Sequence, residues 1–220
     1  MKLTVFAATG RIGRQVLDQA VAAGHDVTAV ARNPSTLPAA VRTVAADLAA
    51  VDPAVLEPAV AGADAVLSGL GPRSRSDAGI ASAGTRAIVR AMGATGVRRI
   101  VVVSAAPVAS VASPGRPDPP PDPGDGFLMR HLLVPALVAA FRDVYADLAL
   151  MEDVLRDSGL GWTAVRPPRL TDGPLTGRYR TAIGRNLRRG LLVSRADVAQ
   201  LMLAVLDRPE TIGQTVGIAN

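Results

Sequence analysis

Gly10 and Gly13, in the run Ala7-Ala8-Thr9-Gly10-Arg11-Ile12-Gly13, have the type and spacing to hold an anion. The apolar stretch Leu3-Thr4-Val5-Phe6-Ala7 leads into them, and a helix-period pattern follows with Ile12, Val16, Leu17, Ala20 and Val21 on one face. Strand, tight turn and helix in that order leave free N–H groups at the positive end of a helix dipole, where phosphate settles. One glycine lets the backbone approach a pyrophosphate and the next lets the helix pack closely on the strand. Two glycines also suit an ordinary strand-to-helix turn, so the surroundings must decide.

The element that would complete such a site comes next. Gly24-His25-Asp26 reads as a turn and Val27–Ala31 as a second apolar strand. Strand, helix and strand thus fit in the short unit that dinucleotide binding requires. Arg32 ends that strand. A site for NAD usually holds Asp or Glu near this point for the ribose 2′-hydroxyl, whereas Arg suits a 2′-phosphate, so Arg32-Asn33-Pro34-Ser35 reads as a pocket for NADP(H). A solvated surface arginine is the alternative.

The remaining elements continue the alternation. Val41–Ala45 reads as a third strand, followed by Ala46-Asp47-Leu48 and a helix from Pro53 to Val60. Ala63–Ser68 is a fourth strand, closed by Gly69-Leu70-Gly71-Pro72, where small residues leave room for a ligand. A helix from Asp77 to Ala94 leads to Val97–Ser104, continuous in Val and Ile as a strand covered on both faces should be. Ser104 ends it and is the one catalytic candidate, either contacting a ligand or bonding its neighbouring backbone. Residues 105–126, with seven prolines and three glycines, are expected to form a loop insertion outside the core. It borders the substrate side of the cleft as a lid or is disordered. Phe127 to Ser158 reads as helix, broken near Pro135, and Trp162–Val165 as a sixth strand. Ser194 caps a last helix from Arg195 to Leu206. Residues 1–220 are therefore expected to form a single α/β domain, a Rossmann-like doubly wound parallel sheet with small C-terminal elements on the substrate side.

Composition narrows the function classes. The chain has no cysteine and only His25 and His131, which excludes disulfides, thiolate chemistry and a histidine-rich metal site. The net charge of +5 comes from basic residues scattered along the chain, and aromatic residues make up only 3%, too few to stack bases. The expected partner is a small molecule rather than nucleic acid or membrane. With no leader pattern and no apolar run of spanning length, a cytoplasmic location is expected.

The whole chain resembles the atypical short-chain dehydrogenase/reductases, and among them the NAD(P)H-binding family that includes NmrA-like proteins and biliverdin reductase B, a flavin reductase. The matching segments are Ala7–Gly13, Ala31-Arg32-Asn33-Pro34, Ala46-Asp47-Leu48, Leu155–Leu160, Val165-Arg166-Pro167-Pro168, Pro174–Gly177 and Ser194–Ala199. The resemblance implies that Thr9, Gly10, Arg11, Ile12 and Gly13 form the pyrophosphate turn and that Arg32 meets the 2′-phosphate. It places Asp47 and Leu48 at the adenine, Leu70 and Gly71 beside the ribose, and Pro167 near the nicotinamide. Ala7 stands where the family has glycine and is tolerable if its backbone stays strand-like. Tyr145 and Tyr179 lack a lysine four residues on, since Lys2 is the only lysine, so the Tyr-x-x-x-Lys proton donor of the main branch is missing. Glu152 lies near a histidine of biliverdin reductase B but reads as a solvated helix residue. The implied activity is NADPH-dependent transfer of hydride to a small conjugated acceptor such as a flavin or quinone. The alternative is an NADP(H)-binding sensor without catalysis.

Overall fold

Valine-, isoleucine- and alanine-rich runs become strands and the helix-period runs between them become helices. The computed structural model describes residues 1–220 except 51, 73, 75 and 76. The order opens with β1 (Lys2–Phe6), α1 (Arg11–Ala22), β2 (Asp26–Ala31), β3 (Arg42–Ala45), α2 (Pro53–Val60) and β4 (Ala65–Ser68). It continues with α3 (Ile80–Thr95), β5 (Arg99–Val103), α4 (Val134–Ala140), α5 (Arg142–Asp157) and β6 (Gly161–Arg166). The last elements are β7 (Arg169–Thr171), β8 (Arg180–Ile183), β9 (Leu192–Ser194), α6 (Arg195–Ala204) and β10 (Gln214–Ala219).

One sheet takes eight strands in the order β3-β2-β1-β4-β5-β6-β10-β8, parallel except for β8, which pairs antiparallel with β10. β7 and β9 form a separate parallel pair. The first six strands follow the Rossmann order, with the reversal between β1 and β4. Each face carries helices: α1 and α6 pack over Leu3, Val5 and Val101, and α2, α3 and α5 over Phe6, Val66 and Ile100. Burial on both faces explains why β4 and β5 are nearly all aliphatic.

The starts of α1 and α3, both at the carboxyl ends of the strands, are treated differently. At α3 the carboxylate of Asp147, on α5, accepts the N–H groups of Ala81 at 2.9 Å and Ser82 at 3.0 Å. An acidic side chain from another helix thus caps α3, whose own preceding residue is Gly79. At α1 no side chain caps the start, and no acid lies in the first turn.

Three expectations are corrected. The helical stretch after Phe127 is π-wound over Met129–Leu133 and returns to α winding at Val134, so just before Pro135 the chain changes its winding without leaving the helix. The break falls at Phe141, with φ −125° and ψ 35°, just before α5. Second, α3 starts at Ile80 rather than Asp77. Third, residues 105–126 are not wholly outside the core: Val108 and Ala109 are buried in a short 3₁₀ turn, and Val108 joins the core under α5. Ser113 Oγ and Gly115 N donate to Asp153, and the Asp122 carboxylate accepts the N–H groups of Gly124 and Asn186.

The C-terminal elements are tied by buried Asp197. Its carboxylate accepts the Thr176 N–H and hydroxyl, each at 2.8 Å, and the Gly177 N–H at 2.9 Å, while Ser194 Oγ accepts the Asp197 N–H. Burial alone would raise its pKa, but hydrogen bonds from Thr176, Gly177 and Ser194 outweigh that and hold it below the ordinary carboxylate value. A lowered folded-state value gives stability that is complete above the unfolded pKa, about 3.9, and lost as pH falls through the folded value. The urea midpoint is therefore expected to drop on acidification below about pH 4. In Asp197→Asn the midpoint should be lower at pH 7 and depend less on pH in that window; equal acid sensitivity in both proteins would remove Asp197 as the cause.

Candidate functional site

The chain leaves β1 through Ala7, whose φ of 56° is left-handed. The strand-like backbone expected there is not what forms. Ala7 O must turn to accept the Gly10 N–H at 2.8 Å, and the alanine adopts a conformation natural to glycine at a cost of about 1 kcal/mol. The turn is stacked backbone on backbone. A Cβ on Gly13 would lie 2.1 Å from Ala7 O, and one on Gly69, after β4, would lie 2.6 Å from Gly13 N. The N–H groups of Arg11, Ile12 and Gly13 occupy the first helical turn, where no intrahelical acceptor exists.

Beside this turn, at the carboxyl ends of the strands, opens a cleft of about 770 Å³. Thr9, Gly10, Arg11 and Ile12 line it, while Gly13 is buried behind them. Arg32, Asp47 and Leu48 form another wall, and Leu70, Gly71 and Ser104 the next. Of the residues expected here, Pro167 is displaced: Pro168 and Leu170 line the cleft, and Pro167 O accepts the Ala106 N–H at 2.9 Å. From the proline-rich segment, Ala105 reaches the cleft.

Arg32 is exposed at the rim and has no hydrogen bond or ion pair among the described residues. The turn beyond it is fixed by Asn33 Oδ1, which accepts the Ser35 N–H at 3.1 Å and its hydroxyl at 2.8 Å. At the mouth, the Asp172 carboxylate bridges Arg11 and Arg195, both of which line the cleft.

The deeper end holds a buried ionic network. Ser104 Oγ donates to Glu152 Oε1 at 2.7 Å. Arg166 donates through Nε to the same oxygen at 2.9 Å and through Nη2 to Oε2 at 2.5 Å. Glu152 is 1% exposed and Arg166 4%, so Glu152 is not the solvated residue its helical position suggested. The hydroxyl of Ser104 bonds across to α5 rather than to neighbouring backbone.

Tyr145 lines the cleft with Val144 and Leu148, one face of α5. Burial raises its phenol pKa. Tyr179 packs instead against the core on the α1 and α6 face, and its pKa is likewise raised by burial. Neither is an activated acid at neutral pH. Arg166, Arg195, Asp172 and Pro168 were not singled out as site residues, although Arg166, Pro168 and Arg195 lie in segments quoted for the family resemblance.

The chain is similar to solved and curated proteins. A candidate exported protein of Burkholderia pseudomallei is 30% identical, with a TM-score of 0.74 and full coverage of both chains. A candidate NADH-flavin reductase of Streptococcus pneumoniae is 25% identical, with a TM-score of 0.74, over 100% of this chain and 99% of that one. An uncharacterized protein of Mycobacterium tuberculosis is 35% identical over 105 residues, 47% of this chain, and that match spans only 12% of the longer protein. Among the described residues no helix is long and apolar enough to cross a membrane. The family model described as NAD(P)H-binding matches residues 7–209, nearly the whole alternation of strands and helices and every wall of the cleft, and the chain belongs to that NAD(P)H-binding family.

Proposed function

We propose that the chain is an NADPH-dependent reductase that passes hydride to a small conjugated acceptor such as a flavin or quinone. The observation that carries the cofactor choice is Arg32, facing the cleft just after β2 with no carboxylate partner among the described residues. The fit of a dinucleotide is supported by the turn itself: Gly10, Gly13 and Gly69 keep backbone where a Cβ would intrude, and uncapped N–H groups at α1 suit a diphosphate. In this reading Thr9 to Gly13 hold the diphosphate, Arg32 the 2′-phosphate, Asp47 and Leu48 the adenine, and Leu70 and Gly71 the ribose. Pro168 replaces Pro167 beside the nicotinamide. When bound, NADPH supplies the hydride. The chain's own contribution is orientation and exclusion of water by Val144, Leu148 and Leu170. The relative of S. pneumoniae that bears the name NADH-flavin reductase supports the class of acceptor. A reductase of this kind works in the cytoplasm, where NADPH is regenerated.

The test is consumption of NADPH and NADH, each with a panel of flavins and quinones. Faster oxidation of NADPH with at least one acceptor is expected; no turnover with any acceptor, together with tight NADP(H) binding, would instead establish a sensor. One observation favours that second reading, since the hydroxyl proton of Ser104 is engaged by Glu152. Acceptors that take hydride first and a proton from water need no donor there. Tyr145→Phe is accordingly expected to keep the rate within about threefold, because its raised pKa makes the phenol a poor acid. A thousandfold loss at unchanged cofactor affinity would show that Tyr145 delivers the proton after all.

A further inference from the structure

We propose that Glu152 and Arg166 are positioning residues that make Ser104 a hydrogen-bond acceptor toward the cleft, so that the site selects at this point a ligand group bearing an amide-type N–H. The proposal rests on the reading that a dinucleotide and a small conjugated acceptor share the cleft. A serine hydroxyl has one proton and two lone pairs, and an ionised carboxylate only accepts. Glu152 receives Arg166 on both oxygens, and Arg156 Nη1 lies 3.5 Å from Oε2, so the glutamate is the anion of a buried ion pair. Ser104 must then donate across its 2.7 Å contact to Oε1. Its proton points into the protein, and its lone pairs remain for the cleft it lines.

The rest of the surroundings hold this polarity. The Ser104 N–H donates to Val165 O at 2.7 Å, fixing the backbone one residue before Arg166 on the adjacent strand. Glu152 and Arg166 are both buried, so bulk water does not compete for the carboxylate. A serine that donates would favour a ligand carbonyl. Here a carbonyl would face a lone pair, and an N–H would find its acceptor. Two sources offer that chemistry in the same cleft: the carboxamide of the nicotinamide, and an imide N–H on the acceptor ring, as in an isoalloxazine.

Binding alone can test this, without turnover. NADP⁺ is compared with its 3-acetylpyridine analogue, in which a methyl replaces the amide nitrogen, and lumiflavin with 3-methyl-lumiflavin in the presence of NADP⁺. In the wild-type protein the member lacking the N–H is expected to bind about tenfold more weakly in one pair, and that pair identifies the source. Ser104→Ala should cut the difference to under threefold. The double variant Glu152→Met with Arg166→Met removes the ion pair without stranding a buried charge and frees the serine to donate. It should narrow or invert the preference, with its thermal midpoint checking the fold; if it does not fold, the Ser104→Ala series decides alone. Equal binding within both wild-type pairs, or a difference that survives Ser104→Ala, overturns the proposal. If NADP⁺ itself does not bind, the cofactor reading fails first, and that result is distinct from equal binding within the pairs.

Discussion

Arg32→Ala is expected to weaken NADPH binding about thirtyfold, roughly 2 kcal/mol, while NADH binding changes by less than threefold. A guanidinium facing a phosphate dianion makes charge-assisted hydrogen bonds, and among the described residues Arg32 has no internal partner to give up first. Its exposure lets water and salt screen the contact, which keeps the figure below that of a buried pair. The loss should shrink further as salt is raised. Titration of both cofactors against wild type and variant checks it. Equal weakening of the two would place the 2′-phosphate elsewhere.

Gly13→Ala is expected to have the larger effect, on fold and on binding together. The new Cβ would sit 2.1 Å from Ala7 O and 2.8 Å from Ala7 C, atoms of a turn that is already left-handed and hydrogen-bonded to Gly10. Gly69 closes the other side, so α1 cannot slide away freely. Overpacking against backbone costs about 3 kcal/mol or more, and moving α1 also moves the N–H groups at its start. A clearly lowered thermal midpoint with at least a hundredfold loss of dinucleotide affinity is the expected result. A variant with wild-type midpoint and affinity would show that the turn yields easily and is not the binding element. Ala7→Gly runs the other way, relieving the left-handed alanine.

Local pattern carried much of this fold. The periodic runs around Gly10 and Gly13 and the helix Pro53–Val60 depend on residues close in sequence, and they form with nearly the bounds those patterns give. The cleft follows from strand order, because a reversal between β1 and β4 puts every βα turn at one end. What sequence could not reveal depends on distant partners. Glu152 looks like one more helix charge until Arg166 arrives from β6 and Ser104 from β5. The left-handed φ of Ala7 goes with its carbonyl's bond from the Gly10 N–H and the close approach of Gly13, and nothing in an alanine announces it. Pro135 lacks an N–H to donate, and the helix meets it with a π-turn over Met129–Leu133 rather than with a break, an accommodation that the proline itself does not announce.

Asp147 has a consequence for how the cleft meets a ligand. By closing the start of α3 from α5, it joins the two helices at the end that contributes Ile80, Val144, Tyr145 and Leu148 to the cleft. That wall is ordered by folding itself, so an arriving molecule need not organise it, and the entropy of its side chains is settled before encounter. The same carboxylate neutralises the α3 dipole, which leaves the uncapped α1 as the more attractive end for negative charge. In the reading proposed above, a single aspartate on α5 thus helps to orient a dinucleotide: phosphate end toward α1, apolar end toward α5.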